Sequence, residues 1–430
     1  MLSFPPPAGL ARSRMILLVT VSAGYIVSQF LRNSLGVIAP DISRDMNLAP
    51  DQLGLLSGAF FFSFALAQLP VGLALDRYGP RLTMSALMLL ALLGCVIFAF
   101  GHSFAGLLVG RLAMGLGSSV LLMGPLMLVS RWFDPSRFAM LAGLVLGFGG
   151  AGSLFATAPL AWSTLAFGWQ GTFFLAAGFA GLLAVIFFTV IRDAPPGHPA
   201  LKRQPETAGA MLRGLALVVR RRGIIPIFVM QLMAYSSFVA VLGLWGGPYL
   251  ADVHGADLVA RGNMLLIMAV AQITGLFVIS RFDRVFDTRK WIVVVGAAAS
   301  AAVLIVLAAV RDLPSGALPV LFVLFGFVSG YTPTLLAHGK SLFPAHIVGR
   351  GLSTLNIATM GGVFIVQYLT GQVIAGFAAV PGADGVPRIP AIAYQTCFAV
   401  LAALLCGAIA VYLFAPDCRP SAEDAAASRS

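Results

Sequence analysis

Long apolar runs, interrupted at intervals by short polar clusters, set the pattern of this chain. No Asp, Glu, Lys or Arg stands between Asp51 and Asp76, Arg137 and Arg192, Arg222 and Asp252, or Arg388 and Asp417. A helix of about 20 apolar residues crosses a hydrocarbon core of about 30 Å, so each gap holds one crossing and the second holds two. Continued along the chain, the pattern predicts twelve spans, near 15–40, 52–75, 82–101, 103–130, 138–166, 171–191, 223–251, 262–280, 291–310, 315–339, 351–378 and 391–415.

Composition agrees: 59% of the residues are hydrophobic and 10% charged, far from the make-up of a water-soluble domain. An even number of spans puts both termini on one side. Loops on that side take 21 of the 27 Lys and Arg residues, while the opposite side receives Arg44, Arg261, Arg311 and Arg388. The positive-inside rule therefore predicts cytoplasmic termini in a multi-pass protein of the inner membrane. The same distribution accounts for the net charge of +11 without nucleic acid as a partner. Arg12 and Arg14 precede an apolar stretch that runs on to Pro40, too long for a cleaved signal sequence, so it is read as the first span. Cys95, Cys397, Cys406 and Cys418 have no metal-ligand spacing and read as buried small hydrophobes.

Residues 192–222, with APPGHP and RRR, form the longest internal polar stretch and divide six spans from six. The halves repeat weakly: IAPDI (38–42) answers to GGPYL (246–250), aligning Pro40 with Pro248, and AQLPVG (67–72) to AQITG (271–275). The expected fold is an all-α membrane protein, with twelve transmembrane helices in two pseudo-symmetric six-helix bundles. Its parts are 1–191, a linker 192–222, 223–416 and a tail 417–430.

The loop after span 2 reads GLALDRYGPR, with Gly72, Asp76, Arg77, Gly79 and Arg81 in place. This resembles the signature of the major facilitator superfamily, G-x-x-x-D-R-x-G-x-R. Its counterpart, SRFDRVFDTRK (280–290), keeps Asp283 and Arg284 without the glycines. The resemblance implies two bundles around a central cavity, alternating access, and these loop residues as a conformational latch, with Asp76 pairing only while the cytoplasmic side is shut. A solvated turn that merely sets orientation is the alternative.

Arg32 lies inside span 1, where a charge costs about 2.5–3.5 kcal/mol to insert and so usually faces the bundle interior. Helical spacing puts Tyr25, Ser28, Gln29 and Gly36 on its face. Similar polar stripes run through Ser57 and Gln68 on span 2, Gln231 and Tyr235 on span 7, Tyr331, Thr334 and His338 on span 10, and Asn356, Thr359 and Gln367 on span 11. In the superfamily, spans 1, 4, 7 and 10 line the cavity, which implies convergence of Arg32, Tyr235 and Tyr331. Arg32, Asn33 and Pro40, with RDAP at 192–195, resemble the organophosphate and organic-anion porters of that superfamily. The second arginine those sugar-phosphate antiporters set on span 7 is replaced by Ala240, flanked by Val239 and Val241.

One guanidinium suits one carboxylate better than a dianionic phosphate. The expected partner is thus a small organic anion carrying one carboxylate, its apolar body against Phe61 and Phe64. The candidate substrate residues are Arg32, Tyr25, Gln29, Gln231, Tyr235, Tyr331, His338 and Asn356. Arg32 has an alternative as a staple to carbonyls or span-11 amides; for Arg111, early in span 4, that role or outward snorkelling comes first.

All 16 acidic residues fall in loops, tails or span ends, so no mid-membrane carboxylate is there to carry a proton. His338 as a proton carrier, anion exchange, facilitated diffusion and a substrate entering protonated remain open, as does a merely hydrogen-bonded His338. LGFGGAGS (146–153) and Gly361–Gly362 suit a close, rocking helix interface, not a phosphate loop. No nucleophile pairs with a base and no cofactor or metal is implied, so a transporter, not an enzyme, is expected. It is read as a monomer in the bilayer. Proton-driven export of drugs or metabolites, or sensing without transport, are the rival functions.

Overall fold

The computed structural model describes residues 8–134, 137–195, 223–310, 316–343, 348–381 and 387–421. Most of the linker 192–222 and of the tail 417–430 therefore lies outside the described residues. Ten helices among those described are long and apolar enough to cross a membrane, with a shorter one at Met140–Phe155. They make twelve crossings, because two of the ten double back.

Pro50–Ala99 supplies spans 2 and 3, turning at Gly79, whose φ of 80° a side chain would strain. The Thr83 hydroxyl donates to the Ala74 carbonyl across the bend, at 3.2 Å. In a straight helix nine residues would stand about 13 Å apart. Ala158–Val190 turns the same way at Gly168 (φ 70°), with the hydroxyls of Ser163 and Thr172 2.9 Å apart. Its first part, 158–167, continues Phe138–Phe155 to complete span 5, and the remainder is span 6.

Span 1 comprises Ala8–Asn33 and Leu35–Met46, longer at both ends than the sequence pattern indicates. Span 4 is Phe104–Ser118 with Val120–Trp132. Span 7 is Ile224–Ala240, a π turn Val241–Trp245, and Gly246–Asp252. Spans 8 and 9 are Leu258–Ile279 and Lys290–Ala309. Span 10 passes from Ala317–Val328 through a 3-10 turn at Ser329–Tyr331 into Thr332–Ser341. Spans 11 and 12 are Val348–Ala375 and Ala391–Tyr412. Between them Val380–Pro381 pairs antiparallel with Pro387–Arg388, a small strand pair that the all-helical expectation missed. Large apolar side chains such as Phe62, Leu66, Leu89 and Leu93 remain exposed on the outer surface, as a lipid-facing wall requires. Cys95 and Cys397 are buried as expected, but Cys406 is exposed and Cys418 half-exposed.

The repeat explains how the halves meet. Pro40 and Pro248 have no N–H, so each frees the carbonyl one turn back, that of Gly36 or Leu244. The Gly36 carbonyl oxygen lies where a Cβ on Gly247 would come within 1.9 Å, and a Cβ on Gly36 would come within 2.0 Å of the Leu242 carbonyl. Spans 1 and 7 thus cross backbone to backbone. Gly54 of span 2 packs on span 11, a Cβ there falling 2.5 Å from the Gln367 carbonyl, and Gly262 of span 8 packs on Ala158 and Ala161 of span 5. All three contacts lie at the span ends opposite the termini, here called the far end.

At the termini end the two halves are built alike. The Asp193 carboxylate accepts the Arg81 backbone N–H at 2.8 Å, capping the start of span 3. The Asp417 carboxylate accepts the Lys290 backbone N–H at 3.2 Å and the Thr288 hydroxyl at 2.8 Å, capping span 9. An acceptor at a helix start satisfies an otherwise unpaired donor and meets the positive end of the helix dipole.

Candidate functional site

Among the described residues three arginines are buried inside the protein, and their partners differ. Arg111 is fully buried and donates to the Leu31 carbonyl at 2.8 Å, the Leu56 carbonyl and the Ser34 hydroxyl, with its guanidinium over the Phe60 ring. It staples spans 1, 2 and 4 at the break in span 1, and does not snorkel outward. Arg261 is 3% exposed and meets the Asp41 carboxylate at 3.1 Å. Arg32 is 5% exposed and makes no hydrogen bond or ion pair with any described residue; its Nε is buried without a partner. Only the Phe64 ring lies under it, 5.0 Å from Cζ to the centroid. A cation over a ring gains about 0.5–2 kcal/mol, whereas a buried charge stripped of its partner costs about 3–5 kcal/mol. Arg32 thus differs from Arg111 and Arg261 in having no hydrogen-bond or ion-pair partner among the described residues.

Hydrogen bonds and helical neighbours link Phe64, under Arg32, to residues of both halves in a partial circuit. Phe64 is one turn from Gln68, whose side-chain oxygen accepts from the Asn356 amide at 3.2 Å across the boundary between the halves. Asn356 lies three residues before Thr359, which accepts from Gln231 at 2.7 Å, and Gln231 is one turn before Tyr235. Tyr235 and Arg32 both lie within electrostatic reach of Tyr25. Tyr25 seats its ring on Gly149, where a Cβ would fall 1.7 Å from the ring, so the glycine run of span 5 makes room for it. Buried oxygens without partners include Ser28 Oγ, Gln29 Oε1, Asn33 Oδ1 and Gln231 Oε1, and, elsewhere, Ser57 Oγ, Thr334 Oγ1, Gln367 Oε1 and Tyr331 Oη. Buried polar atoms are normally bonded, so such a row is expected where water or a solute binds. Asn33 itself donates to the Gln29 carbonyl and to Ser153 of span 5.

Two predicted residues stand apart from this circuit. Tyr331 packs into its own half against Gly296 of span 9 and lies within electrostatic reach of Tyr412. His338 is fully buried, with Nε2 2.8 Å from the Pro416 carbonyl and Nδ1 against the Tyr412 hydroxyl. The carbonyl can only accept, so Nε2 carries the proton and Nδ1 accepts from tyrosine. Both nitrogens are thereby committed to fixing span 10 to the end of span 12. His338→Gln is expected to lower the melting temperature while leaving the pH dependence of transport unchanged, which thermal melts and uptake at several pH values would check.

The latch residues keep to their own halves. Arg81 donates from Nε to the Phe188 carbonyl at 2.7 Å, and Gly79 leaves space for Asp193, whose carboxylate would lie 2.6 Å from a Cβ. Gly72 lies one turn before Asp76 on span 2, and Asp76 has no hydrogen bond or ion pair among the described residues. The Arg77 guanidinium lies over Tyr78. In the second half Asp283 pairs with Arg289 at 3.8 Å, and Arg284 sits in the short turn Phe282–Val285. Sequence reading gave no weight to Asp41 with Arg261, nor to Asp417 as a cap. Arg261 stands out in retrospect as one of four basic residues placed on the sparsely charged side.

Residues 21–367 match the model of the Major Facilitator Superfamily. The chain belongs to that family. Over 257 residues it is 27% identical to the hexuronate transporter of Bacillus subtilis, covering 58% of this chain and 60% of that one. Over 181 residues it is 32% identical to the nitrate/nitrite transporter NrtP of Nostoc punctiforme, covering 40% of this chain and 36% of that one. The probable L-galactonate transporter of Escherichia coli is 28% identical over 199 residues, 44% of this chain and 43% of its own. The matches thus span well under two thirds of these curated relatives. In structure, this superfamily member resembles an inward-facing, unoccupied bacterial homolog of the human lysosomal transporter Spinster. The TM-score is 0.76 at 16% identity, covering 94% of this chain and 97% of that one. A D-xylose-proton symporter follows the same fold, with a TM-score of 0.71 at 15% identity over 91% and 97% of the two chains. These relatives are transporters, and the chain is a multi-pass membrane protein of the same superfamily.

Proposed function

We propose that this protein carries a small, singly charged organic anion, a carboxylate, across the inner membrane by alternating access, as a monomer with both termini in the cytoplasm. The observation that carries the reading is the Arg32 guanidinium, buried over Phe64 and unpaired among the described residues. Tyr25, Gln29, Gln231, Tyr235 and Asn356 complete the proposed site, and Tyr331 and His338 are left to structural roles. Asp76 and the loop around it act as the cytoplasmic latch, open in the present state, while the far end is shut. The distribution of Lys and Arg supports the orientation.

The named cargo of the hexuronate and galactonate relatives is a carboxylate, which fits a single guanidinium ringed by amides. Nitrate is the second reading, favoured by the nitrate/nitrite relative, since a small monovalent oxyanion needs little beyond the guanidinium. Purified protein melted in the presence of D-galacturonate, L-galactonate, nitrate, glucose 6-phosphate and a lipophilic cation separates these readings. The expected result is a rise of several degrees with a sugar acid, followed by counterflow of that compound in proteoliposomes. Stabilisation by nitrate alone selects the second reading, and by the phosphate ester or the cation alone defeats both.

A further inference from the structure

We propose that Arg261, at the far mouth of the carrier, is a second anion site, occupied in this closed state by the Asp41 carboxylate of the opposite half and by a small carboxylate solute when the mouth opens. The inference rests on reading the chain as an anion carrier. Asp41 follows Pro40 on span 1, and Arg261 lies in the first turn of span 8, so their bond joins the two halves.

The geometry is that of a held, half-used fork. Arg261 Nε donates to the Asp257 carbonyl at 3.3 Å, and Nη2 donates to both Asp41 oxygens, at 3.1 and 3.4 Å. Nη1 is buried with no partner, on a side chain 3% exposed. Asp257 is occupied in capping span 8 through the Ala260 N–H at 2.7 Å. Asp252 acts on Arg261 only from a distance, its carboxylate taking the Tyr394 hydroxyl at 2.6 Å, and Arg44 lies 4.0 Å from Asp41.

Opening the mouth must part span 1 from span 8, and with them Asp41 from Arg261. In the opened, hydrated mouth the Arg261 guanidinium keeps its donors but has lost its carboxylate, and it is free to take another. A solute carboxylate offers the same two oxygens to Nη2 and, free of the tether on span 1, can also reach the unused Nη1 in a bidentate fork. Asp41 is then a tethered competitor: it keeps the mouth closed while no solute is present, and an arriving anion takes its place. A ligand that binds the open state better shifts the population toward it.

The test follows the mouth itself, not transport. Spin labels at Ala49→Cys and His254→Cys, in a background with the four native cysteines replaced, report the distance across the far end. Sodium D-galacturonate and sodium acetate are titrated against sodium chloride at equal ionic strength. The open population is expected to rise with either carboxylate in the parent and still to rise in Arg32→Ala, which lacks the central site. Asp41→Asn and Arg261→Gln break the same bond, yet opposite responses are expected. With the competitor removed, Asp41→Asn should respond at about tenfold lower carboxylate concentration, whereas Arg261→Gln should be open and indifferent to it. Arg261→Lys, which keeps the charge, should respond weakly. Equal behaviour of Asp41→Asn and Arg261→Gln would reduce the pair to a plain structural tie and overturn the site. So would a response abolished by Arg32→Ala, which would assign it to the central site, or no response in the parent.

Discussion

Arg32→Ala is expected to reduce counterflow of the transported anion about a hundredfold or more while raising the melting temperature. Both effects come from one observation, a guanidinium buried with only a ring face beneath it. Losing a desolvated charge pair with a carboxylate costs about 3–5 kcal/mol, which is about two to nearly four decades in affinity. In the empty protein the same group is an uncompensated buried charge, so its removal relieves the fold. Arg32→Lys keeps the charge but not the planar fork and should retain a fraction of the activity. Arg111→Ala gives the contrast: its guanidinium satisfies the Leu31 and Leu56 carbonyls, so stability should fall. Counterflow in proteoliposomes and thermal melts of the three variants provide the check. Counterflow by Arg32→Ala within twofold of the parent would remove Arg32 from the site.

The second large effect is expected at Gly36. A Val side chain there would meet the Leu242 carbonyl at 2.0 Å, and that obstacle is backbone, which cannot swing aside. Overpacking costs about 1–3 kcal/mol where neighbours can adjust, and that alone biases two states by about 5–150-fold. Gly36→Val should therefore fold yet fail to shut the far end. A thiol placed at Ala49 would then react readily with a membrane-impermeant reagent, and transport should fall at least about tenfold. Normal transport with an unreactive thiol would mean that spans 1 and 7 do not need this contact.

Much of this was legible in the chain because hydrophobic length is a one-dimensional signal. Gaps without charge mark the crossings, and the Pro40–Pro248 alignment marks the repeat, though not that the two prolines stand where the halves touch. Arg32 was visible because a lone guanidinium in an apolar run has few explanations. What the sequence does not carry is which way a side chain turns once several helices surround it. Tyr331 and Tyr235 occupy similar polar stripes, yet one packs into its own half and the other faces Tyr25. The two nitrogens of His338 are taken by residues 74 and 78 positions away, a separation that no local pattern reveals. Asp41 and Arg261, 220 positions apart, escaped for the same reason.

The three glycine crossings at the far end also bear on what this membrane can sustain. An energised bilayer loses its voltage through any leak wide enough for a hydrated ion. Side-chain plugs flicker as rotamers exchange, but a seal of main chain against main chain parts only when whole helices move. On the proposed reading as a carrier, Gly36 with Gly247, Gly54 with Gly371 and Gly262 with Ala158 separate in concert, so that solute would pass in discrete cycles with the membrane electrically tight between them.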